Sequence, residues 1–127
     1  MSISSRAQAT IEEIPERPNR IVTEADCERA LSWLRDNAQE LGEAKRNLVL
    51  ADKMVGHIEA LMSRASEEKS DEKRKADARA SSRYLQAIND SAYAAGEYEK
   101  LKALREAAAL KIETWRSEQA NYRAMRI

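Results

Sequence analysis

The sequence predicts an all-α protein built on a long antiparallel helical hairpin with a coiled-coil-like seam. Composition, a repeat of seven residues in each half, and a polar segment between the halves support this. Charged residues make up 35% of the 127 residues and aromatic residues 5%, with only 3 Gly and 2 Pro. Such a composition is typical of long helices and leaves little material for a β-sheet.

Residues 1–22 are predicted to form an irregular N-terminal arm. Pro15 and Pro18 disfavour helix at the residues before them. Four apolar side chains between Ile11 and Val22 suit packing against the rest of the protein. An ordered arm is therefore as reasonable as a free tail.

The hairpin domain is expected to cover residues 23–127, with its first helix at about 23–66. Thr23 and Asp26 form a variant of the capping box, with Asp in place of the usual Glu. A strict repeat of seven predicts that this helix supercoils against another helix. The repeat consists of Cys27, Leu34, Leu41, Leu48, Val55 and Met62, flanked by Ala44, Ala51, Ile58 and Ala65.

The second helix is expected at about 71–126. Its repeat of seven consists of Ala80, Ala87, Ala94, Leu101, Ala108, Trp115 and Tyr122, supported by Leu85, Ile88, Ala92, Ala95, Leu104 and Ile112. A further row contains Tyr84, Ser91 and Tyr98, so the apolar surface is wider than one seam requires. We therefore expect the hairpin to assemble into a dimeric helical bundle.

The stretch 65–78 separates the two repeats and is almost entirely polar. As one continuous helix, residues 23–126 would span roughly 155 Å, with the seam interrupted in the middle. A turn is favoured instead, with Ser66 and Ser70 as caps and Asp71 and Glu72 in the first turn of the second helix. The absence of glycine is the observation that favours the continuous helix.

Lys45 and Asp52 interrupt an otherwise apolar row of the first helix. They are candidates for a polar pair in the seam that fixes its register. The favoured alternative is that the apolar stripe passes beside them and that both are exposed.

Five aromatic side chains are candidates for binding another protein, because tyrosine and tryptophan are favoured at interfaces. They are Tyr84, Tyr93, Tyr98, Trp115 and Tyr122. The alternative is that the tyrosines lean over the seam. The end of the second helix would extend beyond the start of the first helix. Its apolar side chains would need cover there from the arm or from a second subunit.

Basic residues near the turn and in the last helix are candidates for a nucleic-acid surface. They are Lys73, Arg74, Lys75, Arg79, Arg83, Arg116, Arg123 and Arg126. Acidic residues are interleaved with them, and the net charge is zero, so nucleic acid is a possible but not a favoured partner.

No pattern in the sequence indicates an enzyme, a cofactor or a metal site. His57 is the only histidine, and its neighbours at helical spacing offer no carboxylate to orient it. Cys27 is the only cysteine, which excludes a disulfide within the chain. The apolar runs are too short for a membrane span, so we expect a cytoplasmic protein that does not enter a membrane.

The segment AAALKIETWRSEQANYRAMRI, residues 107–127, resembles the C-terminal helix of small uncharacterised α-helical phage and prophage accessory proteins. The likeness rests on Ile112, Glu113, Trp115, Arg116, Ser117, Ala120, Arg123 and Ala124. It implies a non-enzymatic accessory role in a phage-infected or prophage-carrying bacterial cell.

Together these observations predict an accessory protein that binds a protein partner through helix faces and associates with itself. The partner could be a component of recombination or replication, or a host-defence complex that the protein inhibits. Binding of nucleic acid and a structural scaffolding role are the two alternatives.

Overall fold

The structure is a computed structural model, and it describes residues 21–125. Three helices occupy this range, which contains no strand: α1 (Glu24–Ala65), α2 (Asp71–Arg79) and α3 (Ser82–Met125). The two long helices α1 and α3 contact each other as the arms of a hairpin. The predicted all-α hairpin is thus confirmed.

Helix α1 begins with the predicted capping box. The Thr23 N–H donates to Asp26 Oδ2 at 3.0 Å, and the Asp26 N–H donates to Thr23 Oγ1 at 3.1 Å. These bonds satisfy backbone donors that the helix itself leaves unpaired. Arg29 also pairs with Asp26, one turn further along. The cap therefore places a hydrogen-bonded carboxylate at the N-terminus of α1, where the helix dipole is positive.

The cap should make stability depend on pH in acid. The hydrogen bonds from the Thr23 backbone and side chain hold the pKa of Asp26 below its ordinary value of 3.8. A lowered folded-state pKa stabilises the protein above the ordinary value, and this contribution disappears as pH falls through the lowered pKa. We expect wild type to exceed Asp26→Asn in stability near neutral pH and this difference to shrink in acid. Urea unfolding of both proteins at stepwise lower pH measures it, and a constant difference would contradict the assignment.

The turn between α1 and α2 uses serine hydroxyls in place of glycine. Ser70 Oγ accepts from the Lys73 N–H at 3.2 Å, and Ser66 Oγ accepts from the Glu68 N–H at 3.2 Å. Arg74 Nε donates to the Glu68 carbonyl at 2.7 Å. No residue of the described range has a positive φ, so the turn does not need a glycine. The predicted cap at Ser70 is confirmed, whereas the Ser66 hydroxyl forms its hydrogen bond within the turn.

A break at Ala80 and Ser81 divides the segment that was expected to be one helix. The Ala80 N–H donates to the Ala76 and Asp77 carbonyls at the end of α2. Ser81 Oγ donates to the Ala78 carbonyl at 2.6 Å and accepts from the Tyr84 N–H at 3.2 Å. The serine hydroxyl thus competes with the helical hydrogen bonds and caps α3.

The chain divides into two compact units, which we describe separately. Unit 2 spans Leu34–Ala107 and holds the turn, α2 and the adjoining parts of α1 and α3. Its buried side chains are mostly small ones: Ala44, Ile58, Ala78, Ala87 and Leu101. Alanine allows two helices to approach closely, and a seam this thin leaves the larger side chains beside it only partly covered.

Unit 1 contains residues 21–33 and 108–125 of the described range. Val22, Cys27, Ala30 and Ala108 are buried there. The Ile21 N–H donates to Glu118 Oε1 at 2.9 Å, so the chain just before α1 lies against the C-terminal part of α3. The rest of the expected arm, including Ile11, Pro15 and Pro18, lies outside the described residues.

The predicted seam of α3 is correct in its middle and wrong at its ends. Ala87, Leu101 and Ala108 are buried, whereas Ala80 and Tyr122 are exposed. Ala80 lies in the break between α2 and α3. The expected supporting residues Leu85, Ile88, Ala92 and Leu104 are exposed as well.

No helix within residues 21–125 combines the length and the apolar character that crossing a membrane would require.

Candidate interaction surface

Three polar contacts connect the helices along one side of unit 2, and we call them the cross-helix row. Ser91 Oγ donates to Asp52 Oδ1. Lys45 Nζ lies 4.9 Å from the centre of the Tyr98 ring. The step of seven residues from Lys45 forward to Asp52 on α1 is matched by a step of seven from Tyr98 back to Ser91 on α3, as antiparallel packing requires. The third contact, seven residues after Asp52, joins Glu59 to Arg79 of α2.

Glu59 and Arg79 form a two-point ion pair. Arg79 Nε lies 3.2 Å from Glu59 Oε2, and Arg79 Nη2 lies 3.5 Å from Glu59 Oε1. The hydrogen bond and charge of Glu59 raise the pKa of Arg79, and nearby Tyr84 adds to this effect. Since the pair is largely exposed, it contributes little stability but favours one geometry of the turn.

The structure shows that Lys45 and Asp52 are both exposed and that both have partners. The sequence left two alternatives for these residues, a buried polar pair or two solvated side chains. Each residue instead meets a different side chain of α3 at the margin of the seam. A slip of the register would separate both contacts, so this geometry suits residues that fix the register.

The opposite side of unit 2 carries an open groove between α1 and α3. Its volume is about 380 Å³. Buried or half-buried Ala51, Ile58 and Ala87 form its floor, whereas Leu50 and Met54 are exposed on its wall. Polar side chains complete the lining: Asn47, Arg83, Gln86 and Asp90.

A second hollow continues from the groove toward the start of α1, since Asn47 lines both. Ala44, Ala94 and Leu101 form its apolar part, and Tyr93 stands at its edge. Its remaining lining is acidic, with Glu40, Glu43 and Glu97. We use "the groove" for both hollows together.

The five candidate aromatic residues differ in exposure. Tyr84 and Tyr98 are half-buried, and Tyr98 belongs to the cross-helix row. Tyr93 is 72% exposed at the groove. Trp115 and Tyr122 belong to unit 1, where Trp115 is half-buried and Tyr122 is exposed. Only Tyr93 combines high exposure with an adjoining hollow in unit 2.

The candidate nucleic-acid residues are partly occupied by partners within the chain. Arg79 pairs with Glu59, and Arg116 lies 3.2 Å from Glu113. Arg74 donates to a backbone carbonyl in the turn. Lys73, Lys75, Arg83 and Arg123 are exposed, and Arg126 lies outside the described residues. Within unit 2, Arg74 and Arg79 therefore already have partners in the chain.

Residues of the kind that bind metals are scattered. Within residues 21–125, no three His, Cys, Asp or Glu side chains come together in a way that could hold an ion. His57 is exposed on α1, and Cys27 is a buried free thiol.

Sequence reasoning missed Leu50 and Met54 as surface residues. Both lie beside the seam and outside the repeat of seven, and the spacing of four residues places them on one side of α1. Their spacing therefore could have indicated that they share one side of α1. The separation of α1 from α3, which leaves a hollow between these two side chains and Gln86, could not be read from the sequence.

Comparisons with protein-family models, with curated proteins and with solved structures found no match to this chain.

Proposed function

We propose that this chain is a non-enzymatic accessory protein that binds another protein through the helix faces of unit 2. One observation carries the proposal: eight large apolar side chains of unit 2 are more than one-third exposed. They are Val49, Leu50, Met54, Leu61, Leu85, Ile88, Tyr93 and Leu104.

Their arrangement supports binding more than their number does. Single exposed apolar residues are normal on protein surfaces, but a group that adjoins a hollow is typical of an interaction site. Leu50 and Met54 line the groove, and Tyr93 stands at its edge. Covering such side chains contributes about 25 cal/mol per Å² of apolar area removed from water.

The proposed setting is the cytoplasm of a bacterial cell that carries a phage or prophage. It rests on the resemblance of residues 107–127 to the C-terminal helix of small phage accessory proteins. In that setting the partner belongs to a recombination or replication assembly, or to a host-defence complex that this protein inhibits.

Photo-crosslinking from Tyr93 tests the proposal. A benzophenone amino acid in place of Tyr93 should form an adduct with a different protein in the native cell, because this side chain is exposed beside the groove. The matched control places the same amino acid at Glu99, an exposed polar position of the same helix. Mass spectrometry identifies the adducts, and a Tyr93 position that reacts only with further copies of the chain would count against a separate partner.

Nucleic-acid binding has weaker support, because Arg74, Arg79 and Arg116 have partners within the chain. A structural scaffolding role also has less support, since the turn at 66–70 ends α1 and so excludes a continuous rod.

A further inference from the structure

The apolar centre of the groove lies at one level along both helices. Met54 of α1 and Asp90 of α3 line the same hollow. Leu50 precedes Met54 by one turn, and Leu61 follows it by seven residues, which keeps all three on one side of α1. All three are exposed.

Charges of opposite sign flank this centre at nearly equal distances. On α1, Glu43 lies 11 residues before Met54, and Arg64 lies 10 residues after it, so each is roughly 15 Å away. On α3, Arg83 and Glu97 each lie seven residues from Asp90, or roughly 10 Å. Arg83 lines the groove, whereas Arg64 lines a separate hollow that Asp71 of α2 also lines. The groove therefore has an acidic end and, at its other end, one arginine, with its apolar side chains between them.

The acidic end keeps a net negative charge. It has three carboxylates, on Glu40, Glu43 and Glu97, and one nearby ammonium, on Lys100, which lies 3.2 Å from Glu97. At the other end of the groove, Arg83 forms no ion pair with any residue of the described part of the chain.

We propose that the groove of unit 2 binds the groove of a second copy of this chain, about a two-fold axis that crosses it at Met54 and Asp90. The inference goes beyond the proposed function, because it names a second copy of the chain as an occupant of these helix faces. The axis reverses the direction of the second copy, so each helix lies antiparallel to its own counterpart. Such an interface is self-complementary, as two-fold symmetry requires.

The charge pattern is the reason for choosing a second copy as the occupant. The axis places Glu97 against Arg83 of the other copy, and this pair occurs twice. Opposite charges across an interface favour one orientation and disfavour others.

About this axis Met54 meets its own counterpart. Leu50 lies opposite Ile58 of the other copy, and Leu61 lies opposite Asn47 of the other copy. The apolar side chains Leu50, Met54 and Leu61 thereby lose contact with water.

The axis also places Asp90 near its own counterpart. Its Oδ1 accepts from Gln86 Nε2 at 2.8 Å, but the two carboxylates still repel each other. Asp90→Asn should therefore tighten the dimer.

Charge reversal followed by sedimentation velocity tests the proposal. Glu97→Arg alone and Arg83→Glu alone should each weaken dimerisation by at least about tenfold, since each sets like charges opposite each other at two symmetric places. The double variant should restore the wild-type dissociation constant, and so should an equimolar mixture of the two single variants. Within one chain these residues lie roughly 21 Å apart along α3, so contact within the chain would not explain a rescue.

Replacement of the apolar centre gives a second readout. Met54→Glu should leave a monomer with unchanged helical circular dichroism, because Met54 is exposed in the isolated hairpin. Leu85→Glu is the matched control: it adds the same charge at an exposed position outside the groove lining, and it should leave the dimer intact.

Three outcomes would overturn the inference: a wild-type protein that stays monomeric at all concentrations, a dimer that Met54→Glu leaves intact, or single reversals that the double variant does not rescue. A monomer whose Met54→Glu variant loses the crosslink from position 93 would assign the groove to a different protein. That result would overturn the self-association and leave the proposed function standing. A rescued dimer without any crosslink to a different protein would leave the self-association standing and overturn the proposed function.

Discussion

Ile58→Ala should lower the free energy of unfolding by about 2 to 3 kcal/mol, the lower part of the range for a buried isoleucine. Ile58 is the largest buried side chain that α1 contributes to unit 2, and it is only 8% exposed. Its removal takes away apolar contacts in a seam that otherwise consists largely of alanine. Urea unfolding followed by circular dichroism, at one fixed protein concentration, gives the value.

Leu85→Ala is the control for this substitution. It also removes a large aliphatic side chain from a long helix, but Leu85 is 60% exposed. We expect a change within about 0.5 kcal/mol, as for most surface positions. Equal losses at Ile58 and Leu85 would show that the seam is not where unit 2 derives its stability.

Ala78→Leu should destabilise the protein by about 1 to 3 kcal/mol, because it overpacks the point where α2 ends. Ala78 is 1% exposed, and its carbonyl accepts the Ser81 hydroxyl that caps α3. A leucine has no room at this position without moving α2 or breaking the cap. The thermal midpoint and the urea midpoint should both fall.

Ala80→Leu provides a matched comparison two residues away. Ala80 lies in the same break but is exposed, so the added side chain projects into solvent. We expect little change in either midpoint. A loss at Ala80 as large as that at Ala78 would mean that the backbone of the break, and not the packing of Ala78, limits substitution.

The ends of the helices could be predicted because their signals are local. The capping box at Thr23 and Asp26 and the cap at Ser70 each need only three or four consecutive residues. The centre of the seam followed from the repeat of seven, which places Ala87, Leu101 and Ala108 on one side of α3. Neither inference required the distance between helices.

The break at Ser81 could not be predicted as readily, because neither Gly nor Pro marks it. A serine within a helical pattern can continue the helix or cap a new one. Here the Ser81 hydroxyl forms hydrogen bonds with the Ala78 carbonyl and the Tyr84 N–H, and it caps α3. The partners of Lys45 and Asp52 depend on which residue of α3 lies opposite each of them. That register is set by the length of the turn and by the break, so the periodicity of the sequence alone does not supply it.

Cys27 makes unit 1 separately observable by experiment. It is the only cysteine of the chain and is 5% exposed near the start of α1. A thiol reagent reaches it only when that end of the helix transiently frays, so the labelling rate at low denaturant reports the local opening equilibrium. Comparing that rate with the rate of global unfolding would reveal whether the ends of the long helices melt before the region near the turn does.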